Sequence, residues 1–244
     1  MIKFFRKIRK KLLTENKFSK YLLYGIGEIV LVVIGILIAL QINNWNESKK
    51  LQQTEIELLK EIAANLIDSK KDLIDGKVLN QQTVVDYNLI NYYIENDLPL
   101  DDKVNKAFNL ISVWHSPIFK FTAYESLKVK GLNLLKNKNL KKKLTNMYEF
   151  NFAYLKDDYD RAEWQISSDI KLPAISKHIR FKKIKENEYS GYPINFELLK
   201  KDDVFINFLT FQIYYRDYGI LQYDRVIKEI DELISILDKE LNKD

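Results

Sequence analysis

The sequence predicts an all-α protein in which one N-terminal transmembrane helix is followed by an extramembrane helical bundle of about three long and two short helices. Glycine and proline are scarce, with 7 and 4 among 244 residues, so the chain offers few sites for turns. A largely apolar run covers residues 21–42, with Glu28 as its one charge and Gln41 near its end, and later segments place apolar residues at steps of three and four. Together these observations favour long helices over strands.

Residues 21–43 are predicted to form a transmembrane signal-anchor helix. At about 1.5 Å per residue the apolar run reaches roughly 30 Å, which matches the hydrocarbon core of a bilayer. A cleaved signal peptide is the main alternative. The run is longer than the apolar region of such a peptide, and the sequence IALQ at residues 38–41 offers no small-x-small cleavage site. The sequence therefore favours an uncleaved anchor.

The flanking charges predict the orientation of this helix. Residues 1–20 contain eight Lys and Arg against one Glu, and no comparable excess follows the apolar run. The positive-inside rule therefore predicts a cytoplasmic tail over residues 1–20 and a helical domain over residues 44–244 on the other side of the membrane. Since the positive charge is concentrated in the tail, the net charge of +5 gives no reason to expect nucleic-acid binding by the domain.

The tail is predicted to be an amphipathic helix that lies on the lipid bilayer. Its apolar residues can share one face, with basic residues mostly elsewhere. Such a helix binds an anionic inner leaflet, although the same charges could serve only to set the topology. The basic residues of this predicted surface are Lys3, Arg6, Lys7, Arg9, Lys10 and Lys11.

The domain begins with a helix predicted from Glu47 to about Asn96, where Leu98-Pro99 ends it. Asp101-Asp102 can cap a short helix that runs through Val113. A turn is predicted at residues 115–117. Thr122 and Glu125 have the spacing of a capping box, in which the hydroxyl and the carboxylate satisfy each other's backbone donors at a helix start. Gly131 suits the end of that helix.

Two further long helices are predicted towards the C-terminus. Residues 138–170 form one helix that Pro173 ends. Residues 173–200 are expected to be irregular, with a turn at Gly191 and Pro193. The last helix begins at Asp202-Asp203 and runs to about Leu241, and its apolar residues form a stripe along one face.

One face of the membrane helix is a candidate packing surface. Small residues and one carboxyl recur at alternating steps of three and four, a spacing that suits close approach of a second helix. The residues are Gly25, Glu28, Val32, Gly35 and Ala39. A carboxylate at this depth is costly, so Glu28 is expected to be protonated, partnered or facing water. Alternatively it lies near the inner interface and is neutralised by Lys17 or Lys20.

Known catalytic patterns are not found in the sequence. Absence of cysteine excludes disulfides, thiolate metal sites and cysteine nucleophiles. The histidines His115 and His178 lack metalloprotease or di-iron spacing, so both are interpreted as surface residues. No cofactor or metal is predicted. The acidic group Asp157, Asp158, Asp160 and Glu163 is interpreted as a solvated helix face, and the aromatic group Tyr148, Phe150, Phe152, Tyr154, Tyr159 and Trp164 as core packing.

Two stretches carry a family resemblance. Residues 27–47, GEIVLVVIGILIALQINNWNE, follow the opening MIKFFRKIRKKLLTENKFSKYLLY, and residues 122–144 read TAYESLKVKGLNLLKNKNLKKKL. In these stretches the chain resembles a family of uncharacterised single-pass membrane proteins from Bacteroidetes-type bacteria. The resemblance implies a location in the bacterial inner membrane, which makes residues 44–244 a periplasmic helical domain of unknown function. It supplies no catalytic residues.

The architecture favours a non-catalytic, membrane-anchored interaction module that presents its helical domain to a membrane or periplasmic protein partner, or to further copies of itself. A ligand-sensing periplasmic domain is one alternative. A second is an accessory subunit of an ion-driven membrane complex that uses Glu28, which rests on analogy of topology. A periplasmic enzyme assembled from scattered residues is a third, and the sequence indicates no reaction.

Overall fold

A computed structural model describes residues 18–186 and 188–242. The described chain is helical except for a small two-stranded sheet, which confirms the predicted all-α class with its long apolar N-terminal helix. The predicted tail residues Lys3, Arg6, Lys7, Arg9, Lys10 and Lys11 lie outside the described residues. The chain divides into two compact units, Met1–Glu55 and Ile56–Asp244.

The apolar run belongs to helix α1, Phe18–Glu95. An 18-residue window of this helix has a mean hydropathy of 2.5, and none of that window is buried. The aliphatic side chains between Leu22 and Ile42 are exposed. By length and composition, this helix could span a membrane.

In the second unit, α1 buries one face and then ends in a well-formed cap. Leu59, Ile62, Leu66 and Leu73 recur at helical spacing and are almost fully buried. At the end, the amide of Leu98 donates to the carbonyl of Tyr93 at 3.0 Å, and the amide of Asp97 donates to Ile94 at 3.2 Å. This is the Schellman pattern, and Asp97 takes the positive φ of 50° that it requires.

Short elements follow. Helix α2, Asp102–Ala107, is capped by the Asp101 carboxylate as predicted, but it ends well before Val113. Helix α3, Thr122–Lys130, begins at Thr122 itself. The predicted capping box is wrong because Phe121 occupies the cap position and no side chain bonds the first amides. Gly131 ends α3 with a φ of 96°, and a 3-10 turn covers Leu132–Leu134.

Residues 138–178 form a central helical run that alternates between α and π geometry. Its segments are α4 Lys138–Asn146, π1 Met147–Asn151, π2 Tyr154–Asp160, α5 Arg161–Ile166, π3 Ser167–Lys171 and α6 Leu172–His178. Pro173 therefore does not end the helix as predicted. It lies in the first turn of α6, directly after π3, where the wider π turn interrupts the i→i−4 ladder and the missing proline N–H costs little.

A hairpin replaces the irregular segment expected after residue 173. Strands β1, Ile179–Lys185, and β2, Glu188–Pro193, pair antiparallel from Ile179 opposite Pro193, with an irregularity between Lys183 and Lys185. A short helix, α7 Phe196–Leu199, leads to the last helix, α8 Asp203–Leu241. Asp202 caps α8, so the predicted bounds of this helix are confirmed.

Helices α1 and α8 lie antiparallel in the second unit. Lys70 bonds Asp231 at 2.5 Å, and seven residues further along α1, Lys77 bonds Asp224 at 2.6 Å. Two apolar clusters fill the space between these helices and the central helical run. The larger cluster includes Leu59, Ile62, Leu73, Leu144, Phe152, Tyr223 and Ile230, and the smaller one includes Tyr87, Ile90, Phe108, Ile175, Phe205 and Phe208.

Candidate functional site

The face of α1 that points away from the bundle carries an exposed row of mostly apolar residues, which we call the outer seam. Its nine members are Ala64, Ile67, Lys71, Ile74, Val78, Gln81, Val85, Asn88 and Tyr92, and all of them are exposed. Ile67, Val78 and Val85 each keep more than half of their surface open to solvent. The same stretch of helix buries Leu66, Leu73 and other residues on its opposite face, so α1 is apolar on two sides.

A second candidate lies inside the bundle, between the two apolar clusters. Six polar or charged side chains, none more than 2% exposed, form what we call the polar layer: Asn80, Glu163, Ser167, Lys171, Gln212 and Arg216. Each of the three long helices contributes. On α8, for example, Gln212 and Arg216 lie between Leu209 of the smaller cluster and Tyr223 of the larger one. The layer therefore crosses the whole bundle.

One carboxylate oxygen holds the layer together. Oε1 of Glu163 accepts a hydrogen bond from Nη2 of Arg216 at 2.6 Å and from Nζ of Lys171 at 3.4 Å. Nη1 of Arg216 donates to Oδ1 of Asn80 at 3.3 Å, and Nζ of Lys171 lies 4.4 Å from the centre of the Trp114 ring. Two cations thus share one carboxylate, and the six layer residues carry an excess of positive charge.

Several polar atoms of the layer have no hydrogen-bond partner within the described part of the chain. They are Nδ2 of Asn80, Oε2 of Glu163, Oγ of Ser167, Nε of Arg216 and both Nε2 and Oε1 of Gln212. Buried polar groups are nearly always paired in folded proteins, because an unpaired one forfeits its hydration. N–H groups outnumber purely accepting oxygens in this set, so the layer favours a small ligand or solvent that accepts hydrogen bonds.

Burial also changes the proton equilibria around the layer. It lowers the pKa of Lys171 to about 8, an effect that the neighbouring Glu163 carboxylate opposes. Burial raises the pKa of Tyr159, next to the layer, to about 12. Lys171 therefore changes charge closer to neutral pH than an exposed lysine does.

A close helix contact supports this geometry. A Cβ added at Gly219 of α8 would overlap the hydroxyl of Tyr159 and approach Nδ2 of Asn80 to 3.1 Å. Glycine at this position leaves room for the Tyr159 hydroxyl against the backbone of α8. The placement of Tyr159 and Asn80 beside the layer thus depends on the missing side chain at residue 219.

A third polar cluster lies at the start of α8. Oδ1 of Asp202 accepts from the amides of Val204 at 2.9 Å and Phe205 at 3.2 Å. Its Oδ2 bonds Nε2 of His178 at 2.7 Å and also accepts from Lys177. The hydrogen bonds from Lys177 and His178 hold the pKa of the Asp202 carboxyl well below its usual range. These contacts describe a helix cap tied to the end of α6.

The membrane-helix candidates lie along one side of α1 in the first unit. Gly25 and Glu28 are half-buried, whereas Val32, Gly35 and Ala39 are exposed. A Cβ added at Gly25 or Gly35 would have no neighbour within 4 Å, so this face is open to a second helix. The packing role of these residues stays a prediction.

Other sequence interpretations are corrected by the fold. His178 is only 6% exposed, so it is not the surface residue that was predicted. Of the acidic group, Glu163 and Asp160 are buried, which contradicts a fully solvated face. Of the aromatic group, Phe150 and Trp164 are exposed, while the rest pack against or within the larger cluster. Across the described ranges no three His, Asp or Glu side chains group as metal ligands.

The polar layer was not predicted from the sequence. Glu163 and Arg216 are 53 residues apart, and their partnership leaves no local pattern. The one available signal was Arg216 and Gln212 at positions where the apolar spacing of α8 expects core residues. A polar residue in such a row indicates a buried partner on another helix.

No curated protein and no solved structure matches this chain. A family of unknown function (DUF6090) matches residues 28–182, which is more than half of the sequence. The match extends from the apolar run of α1 through the seam, the central helical run and the start of β1. The chain therefore belongs to this family of unknown function.

Proposed function

We propose that the protein is a membrane-anchored, non-catalytic interaction module. The apolar part of α1 anchors it in the bacterial inner membrane as a single-pass helix, with the basic N-terminus in the cytoplasm and the helical domain in the periplasm. The exposed apolar helix and the charge asymmetry of its flanks support this placement.

The outer seam carries the proposal for the domain. Soluble surfaces scatter their apolar residues, whereas a contiguous apolar patch marks an interaction surface. Here Ile67, Ile74, Val78, Val85 and Tyr92 lie on one side of a single helix, and each exposes 40% or more of its surface. A partner that covers them removes apolar area from water, which is the main favourable term in association.

In-cell photo-crosslinking tests the proposal. A photoreactive amino acid replaces Val78 in the full-length protein, and the matched control carries it at Asp157, an exposed polar position on the central helical run. We expect ultraviolet-dependent adducts from position 78 and none from position 157. Absence of adducts at Val78, and likewise at Ile67 and Val85, would contradict the proposal.

A ligand-sensing domain is the second candidate, and the polar layer favours it. A small acceptor-rich molecule that bonds Gln212 and Ser167 would satisfy buried groups on two helices at once and stabilise their packing. Native mass spectrometry of the full-length protein, purified from membranes in mild detergent, would show the added mass. The mass should be absent from the Gln212→Leu variant. A wild-type protein of unmodified mass contradicts this candidate.

A further inference from the structure

We infer that the partner on the outer seam is a second copy of this chain, packed parallel and in register as a coiled coil between residues 64 and 92. The inference rests on the proposed function and identifies its partner. It is carried by the spacing of the seam, by the residue types in its two rows and by the charges beside it.

The spacing is that of a coiled-coil seam. From Ala64 to Tyr92 the nine members alternate steps of three and four without interruption, which is the a and d pattern of four heptads. At about 1.5 Å per residue this stretch is roughly 42 Å long. Every member is exposed, whereas the bundle-facing residues between them are buried. The repeat therefore serves a surface outside the domain's own core.

The residue types in the two rows suit an identical, in-register partner. The row at the a positions holds Val78 and Val85, β-branched residues that suit parallel strands, and the row at the d positions holds the apolar residues Ile67 and Ile74. The polar members are Lys71, Gln81 and Asn88. Parallel copies set each of these opposite its own equivalent and keep the apolar pairs together, so they specify register at some cost in stability.

Charges beside the seam complement a parallel copy. Lys70 and Asp75 lie on opposite flanks, five residues apart, which is the separation of the g and e positions that pair across a parallel coiled coil. The two-fold symmetry of a dimer forms this pair twice. Lys70 already bonds Asp231 at 2.5 Å and keeps 31% of its side chain exposed, so it can serve both carboxylates.

The anchor reinforces the parallel arrangement. When two copies are anchored in one membrane by the same helix, the polypeptide runs from the anchor into the domain in the same direction in both. Anchoring also raises their local concentration, which strengthens a seam of moderate length.

Single-cysteine crosslinking tests the inference, and the chain suits it because it contains no cysteine. Val78→Cys and Val85→Cys each place one thiol in the seam of the full-length protein in its membrane. In a parallel, in-register pair both positions meet their own equivalents, so each variant forms a disulfide-linked dimer on mild oxidation. An antiparallel pair can align at most one of the two positions in this way.

The control is Tyr214→Cys, which is 67% exposed on α8 and lies away from the seam. We expect at least a tenfold higher dimer yield from positions 78 and 85 than from position 214, and loss of that yield when Ile74→Asp is added. Equal yields at all three positions would overturn the inference. Photo-adducts of Val78 to a different polypeptide, without cysteine dimers, would also overturn it and leave the proposed function intact. Absence of both would contradict the two together.

Discussion

The polar layer and the two apolar clusters are built from the same three helices, yet they obey different energetics. The clusters gain stability from each apolar surface that leaves water, and they pack without directional demands. The layer buries Glu163, Lys171 and Arg216, whose lost hydration must be recovered through specific contacts. The middle of this bundle therefore serves something other than maximal stability, such as a unique alignment of its helices or the binding of a ligand.

Replacement of Glu163 should have the largest effect. Glu163→Gln leaves two buried cations without their shared carboxylate, and removal of one partner from a buried ion pair costs about 3–5 kcal/mol. Urea denaturation of the full-length protein in detergent, followed by circular dichroism, measures the loss. The matched control is Glu232→Gln, because Glu232 is half-exposed and pairs with Lys143 at the surface. A loss no greater than in the control would show that the layer is already hydrated.

Replacement of all three charged residues should reverse the sign of the change in the free energy of unfolding. In a variant with Glu163→Leu, Lys171→Met and Arg216→Met, apolar side chains of similar size occupy the layer and no charge is left buried. Such replacements are often neutral or stabilising by about 1–4 kcal/mol. The same denaturation experiment tests this. A strong loss of stability would mean that the ionic layer contributes net stability, which would remove the contrast with the apolar clusters.

The layer should give the stability a pH dependence through Lys171, whereas the aliphatic side chains of the clusters carry no group that titrates. The pKa of Lys171 is about 8 in the folded protein against 10.5 ordinarily, so between these values the unfolded chain binds the proton that the native state has released. Stability therefore rises with pH in this window, by up to about 1.4 kcal/mol per pH unit. The free energy of unfolding at pH 8 and pH 10, compared with that of Lys171→Met, measures the slope. Equal slopes in both proteins would contradict the prediction.

A methyl deletion in an apolar cluster should have the smallest effect. Ile230→Val in the larger cluster removes one buried methylene, which costs about 0.5–1.5 kcal/mol at any pH. The control is Ile118→Val, because Ile118 is 70% exposed and the loss there should stay within about 0.5 kcal/mol. If Ile230→Val were as costly as Glu163→Gln, the two regions would not differ in the proposed way.

The sequence predicted the elements whose signals are local. Asp202 lies before an amphipathic row and caps α8, and Asp101 caps α2 in the same way. The β1–β2 hairpin escaped prediction because six of the seven residues of β1 are exposed, which leaves no alternation of buried and open side chains. The continuation of the helix across Pro173 was not predicted, because a π turn has no sequence signature.

The candidate sites likewise divide into those with a local sequence signal and those that depend on contacts between distant residues. The apolar part of α1 and its row of small residues can be read from one segment of the sequence. The polar layer depends on contacts between helices that are distant in sequence, such as Asn80 with Arg216, so only the tertiary fold brings its members together. The buried His178 was likewise misinterpreted because its partner Asp202 lies 24 residues away.

The antiparallel register of α1 and α8 has a practical consequence. Lys77 faces Asp224 and Lys70 faces Asp231, so the end of α8 at Leu241 lies opposite Lys60, close to the start of the second unit at Ile56. The chain thus enters and leaves this unit at one place. A segment with adjacent ends can be spliced as a cassette into an exposed loop of a soluble carrier without stretching either polypeptide. The domain could then be carried on a protein that lacks the apolar part of α1.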